Sequence, residues 1–183
     1  MTVMIPDVPF ERAYWVQPGQ LLAGAYPGDV HPEQTTAKLA ALLRCGVTHV
    51  VNLMEADEQD SLSSWWPDYR PTLEQLAAAE GRRIRWVRYP IPDMAVPTPE
   101  TMRATLDWID QAIAQGGVVY VHCLAGQGRT GMVAACYLVR HGLPGPAALE
   151  QLKELTRTKA DLFWPTPQTL AQRTFVLNWP VGK

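Results

Sequence analysis

The sequence predicts an α/β fold: a single domain with a mainly parallel central sheet, flanked by helices and followed by a C-terminal helical cluster. Short β-branched and aromatic runs alternate with helix-period runs through the first part of the chain. After them come only helix-period runs, so the sheet is complete before the last helices are made. At 183 residues the chain has the length of one core, and 1–183 reads as one domain with an N-terminal arm over 1–18.

A first strand is predicted over 21–25 and a second over 47–53, where Val47, Val50 and Val51 supply branched side chains. Between them, 33–45 reads as a helix because Leu39, Leu42 and Leu43 share one face. The stretch 54–71 has neither period and reads as a long irregular loop, a feature that often carries function in compact domains. A helix follows over 71–80 and a third strand over 84–89. The run Arg82-Arg83-Ile84-Arg85-Trp86-Val87-Arg88 mixes bases and aromatics as nucleic-acid surfaces do, but its alternation equally makes a half-exposed strand, and the net charge of −2 favours the strand. Thr98-Pro99-Glu100 supplies a cap, an N1 proline and a first-turn acid for a helix over 99–115, which buries Met102, Leu106, Ile109 and Ile113 and stops at Gly116-Gly117. A fourth strand is predicted over 118–122, and helices over 128–141, 146–156 and 167–178.

Composition excludes several classes. With 16 basic against 18 acidic side chains, the chain has no field that would hold it on nucleic acid or an anionic membrane. Its apolar runs fall short of the about 20 residues that cross a bilayer. Cys45, Cys123 and Cys136 are too few for a disulfide framework, and MTVMIPDVPF lacks the layout of a secretion signal, so a cytoplasmic protein with reduced thiols is expected. No His, Cys and Asp cluster has metal-ligand spacing, so no metal and no other cofactor is expected.

Chemistry concentrates in 118–131, Val-Val-Tyr-Val-His122-Cys123-Leu124-Ala125-Gly126-Gln127-Gly128-Arg129-Thr130-Gly131, which reads strand, loop, helix. Gly126 and Gly128 let successive N–H groups from Leu124 to Gly128 turn inward as an anion nest, and the following helix points its positive end into the same hollow. Arg129 adds a planar fork matched to two phosphate oxygens. The same surroundings favour thiolate over thiol at Cys123. A bound phosphorus would then face a nucleophile.

On His122-Cys123, Gly126, Arg129-Thr130-Gly131 and the apolar helix MVAACYLV, the chain resembles the cysteine-dependent protein tyrosine phosphatases, and most of all their small dual-specificity-like branch. Weaker likeness extends to Leu21-Leu22-Ala23-Gly24, Val51-Asn52-Leu53 and 167–172. The resemblance implies a phosphatase-like α/β fold and metal-free hydrolysis of phosphomonoesters through a phosphocysteine. It assigns Cys123 as nucleophile, Arg129 as the phosphoryl-binding fork and Thr130 as the hydroxyl that stabilises the thiolate. His122 would constrain the loop, and Gln172 stands where relatives often place a glutamine that positions the hydrolytic water.

Two tripeptides compete for the general acid that must protonate the leaving oxygen. Trp66-Pro67-Asp68 matches, letter for letter, the acid tripeptide of the larger tyrosine-specific members, and Ile91-Pro92-Asp93 matches the looser form of the small ones. In the family the acid loop follows a strand and leads into one helix that returns to the cysteine strand. Asp93 satisfies this in one crossover, whereas Asp68 leaves an extra helix and strand between, so Asp93 is favoured.

The substrate expected is a phosphotyrosine protein, with phosphoserine and phosphothreonine also open because no segment resembles the phosphotyrosine-recognition loop. A phosphoinositide is the alternative, weakened because Leu124 and Gln127 stand where lipid-directed relatives often carry lysines. A silent phosphate-binding module would normally lack the nucleophile or the acid. Sulfur- or arsenate-transferring loop enzymes usually lack the His-Cys…Arg-Thr-Gly arrangement. Cys45 and Cys136 are expected to pack in the core, Trp65-Trp66 could flank a pocket, and Glu55, Asp57 and Glu58 read as a solvated loop face without a role.

Overall fold

The computed structural model describes residues 7–62, 64, 66–157 and 165–183. Its five strands are β1 (Ala13–Gln17), β2 (Leu21–Gly24), β3 (His49–Asn52), β4 (Arg85–Arg88) and β5 (Val119–His122), arranged in one sheet in the order β1-β2-β5-β3-β4. β1 turns back through Gly19 to pair antiparallel with β2; the pairs β2 with β5, β5 with β3, and β3 with β4 are all parallel. The last strand made is therefore the central one. Its four residues are all buried, as a parallel strand covered on both faces requires.

Register places the function. Gly24, His122, Asn52 and Arg88 stand in one row across the four parallel strands, so the chain leaves all four at the same edge of the sheet. Open α/β sheets bind their ligands at that carboxyl edge, where diverging connections leave a crevice.

The helices are α1 (Pro32–Arg44), α2 (Ala56–Leu62), α3 (Arg70–Ala79), α4 (Pro99–Ala114), α5 (Arg129–Arg140), α6 (Gly145–Thr156) and α7 (Leu170–Asn178). Thr98 caps α4 by accepting from the Thr101 N–H, with Pro99 at the first helical position as predicted. α5 is buried from Arg129 through Val139 and packs against β2 and β5 as well as α4, α6 and α7. A helix buried on every side is the core of the C-terminal cluster rather than its surface.

Two sequence expectations need correction. The stretch 1–18, read as an arm, contains β1, whose Tyr14, Trp15 and Val16 are buried in the core; its five residues are too short to stand out by period. The stretch 54–71, read as irregular, contains α2. Its ADEQDSL sequence has no apolar stripe, so no hydrophobic period marks it as a helix. No described helix is long and apolar enough to cross a membrane.

Candidate active site

The loop from Cys123 to Gly128 joins the end of β5 to the start of α5. Gly126 has φ of +77°, and a Cβ there would fall 2.6 Å from the Ala25 nitrogen, so both its backbone turn and its closeness to the strand beside it require glycine. The Leu124 carbonyl accepts from the Tyr26 N–H at 2.9 Å, which ties the loop to the segment leaving β2. Among the described residues, the N–H groups of Leu124, Ala125, Gly126, Gln127 and Gly128 donate to no protein acceptor. Several unpaired donors on a largely buried loop at a helix start make a site for an anion.

Arg129 closes this loop. Its side chain is 2% exposed, and its guanidinium is held from two sides. Glu58, from α2, accepts from Nη1 at 2.6 Å and from Nη2 at 2.8 Å, a fork-to-fork pair. The Ile91 carbonyl accepts from Nη1 at 3.1 Å, and Asp93 Oδ1 lies 3.0 Å from Nη2. Burial alone would lower the Arg129 pKa, but the hydrogen bond to Glu58 and the charges of Cys123, Glu58 and Asp93 outweigh it and leave the pKa raised. The fork is a permanent cation whose Nε has no protein acceptor among the described residues.

Glu58 is the functional side chain that the sequence reading missed. The sequence places it on a solvated loop face, yet its carboxylate is only 18% exposed. The signal available was topological: α2 follows β3 at the edge where a buried arginine must find a counter-charge, and α2 carries acids in its first turn.

Behind the loop lies a second network. His122 is fully buried; its Nδ1 donates to the Cys123 carbonyl at 3.0 Å and its Nε2 accepts from the Tyr69 hydroxyl at 2.6 Å. Tyr69 in turn accepts from Trp86 Nε1 at 3.2 Å. Burial pushes the His122 pKa down to about 4, aided by the Arg88 and Arg129 charges against the opposing bond to Cys123, so the ring is neutral at pH 7 and the donor-acceptor order is fixed. Rings of Tyr26, Tyr69 and Tyr120 surround it, with Tyr120 stacked at 5.7 Å. His122 is thus tied to the head of the loop at the Cys123 carbonyl.

The remaining site residues fall as follows. Cys123 is 3% exposed at the head of the loop. Thr130 Oγ1 donates to the Gly24 carbonyl at 3.3 Å. Gln172 is buried and completes a reciprocal capping box with Thr169 at the start of α7. Asp68 accepts from the Arg70 N–H at 3.0 Å as a helix-start turn acid. Cys136 is buried in α5, where burial raises its pKa; Cys45 is half-buried at the C-cap of α1 and donates to the Asp7 carbonyl. A cleft of ≈ 350 Å³ opens beside Leu124, with Phe10, Tyr26, Trp66 and Lys38 among its walls. Trp66 thus borders a pocket, while Trp65 lies outside the described residues. Among the described residues no three His, Cys, Asp or Glu side chains form a metal-ligand set.

Known proteins share this fold. Residues 11–171 match the family model described as "Swiss Army Knife protein, DSP-PTPase phosphatase domain". An Arabidopsis thaliana protein named phosphatidylinositol 3,4,5-trisphosphate 3-phosphatase and protein-tyrosine-phosphatase PTEN1 is 32% identical over 133 residues, 72% of this chain and 29% of its own length. An uncharacterised Methanocaldococcus jannaschii protein is 37% identical over 72 residues, 39% of this chain and 48% of its own. The chain spans less than half the length of the curated relatives that it matches. Among solved structures, Tk-PTP in its active form superposes with a TM-score of 0.65 at 24% identity, covering 90% of this chain and 93% of that one. Kinase associated phosphatase with its catalytic cysteine replaced by serine gives 0.70 at 17%, covering 90% of each, and PTPMT1 in complex with PI(5)P gives 0.68 at 19%, covering 91% and 93%.

Proposed function

The chain belongs to the dual-specificity-type phosphatase domain family, and on that premise we propose that it hydrolyses phosphomonoesters through a phosphocysteine intermediate, without a metal. The observation that carries this reading is Asp93 Oδ1 at 3.0 Å from the fork of Arg129, which brings a carboxyl group from the β4 connection onto the rim of the cysteine loop. The Cys123 thiolate attacks phosphorus in line, the S–P bond forms, and the bond to the leaving oxygen breaks as Asp93 donates its proton to that oxygen. Arg129 and the unpaired amides of 124–128 stabilise the equatorial oxygens, with Glu58 holding the fork in the plane they need. Asp93, now ionised, takes a proton from water as the water attacks phosphorus. The S–P bond breaks, inorganic phosphate leaves, and Thr130 assists the return of the thiolate.

For substrate, we favour phosphotyrosine, with phosphoserine and phosphothreonine in proteins also accepted, because the cleft beside Leu124 has aromatic walls in Tyr26 and Trp66 that suit a polypeptide flank. Phosphoinositide substrates are the second reading, drawn from what the relatives' names say of those proteins. The neutral Leu124 and Gln127 count against it.

The test is turnover of p-nitrophenyl phosphate in EDTA, with Cys123→Ser beside the wild type. Metal-independent turnover, abolished in the variant while vanadate or phosphate still binds, is the expected result. Full turnover by Cys123→Ser overturns the covalent mechanism, and loss on chelation restored by added metal overturns the metal-free one.

A further inference from the structure

Gln172 has two ends, and each has found a partner that is not water. Its side chain is fully buried. Oε1 accepts from the Thr169 N–H at 3.1 Å, and Nε2 donates to the Ala95 carbonyl at 3.2 Å. A backbone donor and a backbone acceptor together leave only one orientation of the amide. The same amide lies against the phosphate-binding loop: a Cβ on Gly128 would fall 2.9 Å from Oε1 and 3.0 Å from Nε2. One side chain therefore touches the start of α7, the loop that carries Asp93, and the N-cap of α5.

The loop it holds needs holding. Met94, next to Asp93, has φ of +62°, a conformation that a residue with a Cβ keeps only where its surroundings impose it, and Met94 itself is half exposed. Within the loop, the Ala95 N–H donates to the Pro92 carbonyl at 3.1 Å. Outside it, the Met94 carbonyl lies at the long end of hydrogen-bond range, 3.5 Å, from Thr169 Oγ1, and the Ala95 carbonyl takes the Gln172 amide. Among the described residues, the α7 capping box supplies both external hydrogen-bonding ties of 94–95.

We propose that Gln172 is the positioning residue of the acid loop: its amide latches Ala95 to the phosphate-binding loop and so sets where the Asp93 carboxyl stands over the leaving oxygen. This deepens the reading given above and rests on it, with Asp93 as the acid. It differs from a role in positioning the hydrolytic water, because it acts in the step that forms the phosphocysteine and not only in the step that breaks it.

Gln172→Glu separates the two roles. Glutamate at this position keeps the capping box, since its carboxylate still accepts from the Thr169 N–H, but in its ionised form, which assays across a pH series isolate, it has no hydrogen to give Ala95. kcat/KM reports steps up to phosphocysteine formation, so a latch shows itself there and only for leaving groups that need a proton. For phenyl phosphate, kcat/KM should fall by roughly 10-fold or more, while for a fluorinated phenol that departs unprotonated it should change little. In the Asp93→Asn background the same substitution should add almost nothing, because the acid it positions is gone. Gln172→Met, which has the length but neither hydrogen-bonding end, guards against a folding artefact, with thermal unfolding run on both variants.

Unchanged kcat/KM for every leaving group, with kcat lowered and a burst of released phenol, assigns Gln172 to the water and overturns the latch. An equal loss for all leaving groups in folded protein makes it merely structural and overturns it too. If Asp93→Asn itself shows no dependence on leaving group, the acid assignment fails first and takes the latch with it. A normal Asp93→Asn signature with a silent Gln172→Glu removes the latch alone.

Discussion

Asp68 follows Trp66-Pro67 and Asp93 follows Ile91-Pro92, yet the two carboxylates meet different partners. Asp93 is 66% exposed, but one oxygen rests on the buried fork of Arg129. Asp68 is exposed and turns to the Arg70 N–H at the start of α3. The backbone around Asp68 is tied down from behind: the Tyr26 hydroxyl donates to the Pro67 carbonyl at 2.9 Å, and Tyr69 reaches His122. One segment brings a carboxylate to the Arg129 fork; the other is tied to the strand that leads into the cysteine loop. The difference follows from where each leaves the sheet. Asp93 comes five residues after β4 at the edge shared with Cys123, whereas Asp68 is in the connection between α2 and α3. A tripeptide match reports local backbone, and the site is made by connection order.

Asp93→Asn should have the largest effect. An amide cannot give the leaving oxygen its proton, so kcat for phenyl or alkyl phosphates should fall by about 10²–10⁴, and the loss should shrink for leaving groups that depart unprotonated. A loss below about 10-fold on phenyl phosphate removes Asp93 from the role.

The bracing side is tested by pH. His122 has a pKa of about 4 in the folded protein, against about 6.5 unfolded. Above the unfolded value both states hold a neutral ring and its contribution is complete. Between the two, the unfolded chain binds the proton first, so stability falls with pH, by roughly 3 kcal/mol over the whole interval. Urea unfolding at pH 7, 5.5 and 4.5 should show this loss in the wild type and less of it in His122→Gln, which does not titrate. Parallel curves for the two would take the neutral histidine out of the brace.

How much of this was legible in the sequence depends on the range of the signal. Four strands and six helices were visible because each carries its own period or punctuation, as Thr98-Pro99 and Gly116-Gly117 do for α4. The loop from Cys123 to Arg129 was legible for the same reason: its glycines and its position between strand and helix are local. Connection order pointed to Asp93, whose carboxylate lies beside the Arg129 fork. Glu58 was not legible from α2 itself, a short polar helix; its role comes from a counter-charge 71 residues away. Tyr69, which bonds His122, lies 53 residues from it, Trp86 joins the network only through Tyr69, and β1 shows itself only through its pairing with β2.

Glu58→Gln probes what holds the fork that Asp93 meets. The glutamine keeps one acceptor oxygen but loses the second and the charge, so Arg129 should swing more freely and bind phosphate less well. A fall in kcat/KM of about 10-fold, borne mainly by KM, is expected for all leaving groups alike, since the fork acts on the phosphoryl group and not on the leaving oxygen. A loss that follows the leaving group would instead make Glu58 part of the proton path and merge the two roles that the comparison separates.

The smallest effect is expected at Asp68, and it carries the other half of the comparison. Asparagine retains an oxygen at Oδ1, so Asp68→Asn should keep the turn at the start of α3 and leave kcat within about twofold of the wild type on every leaving group. Asp68→Ala removes the acceptor of the Arg70 N–H and should cost about 1 kcal/mol of stability, read as a lower urea midpoint with kcat still unchanged. The two variants therefore split structure from chemistry at one position. If Asp68→Asn instead shows a large loss that disappears with good leaving groups, the carboxylate must reach the phosphoryl site in the working enzyme. The segment that braces His122 would then have to release Tyr69 or Pro67 in each cycle, and Tyr69→Phe or Tyr26→Phe, which cut those ties, would raise kcat rather than lower it.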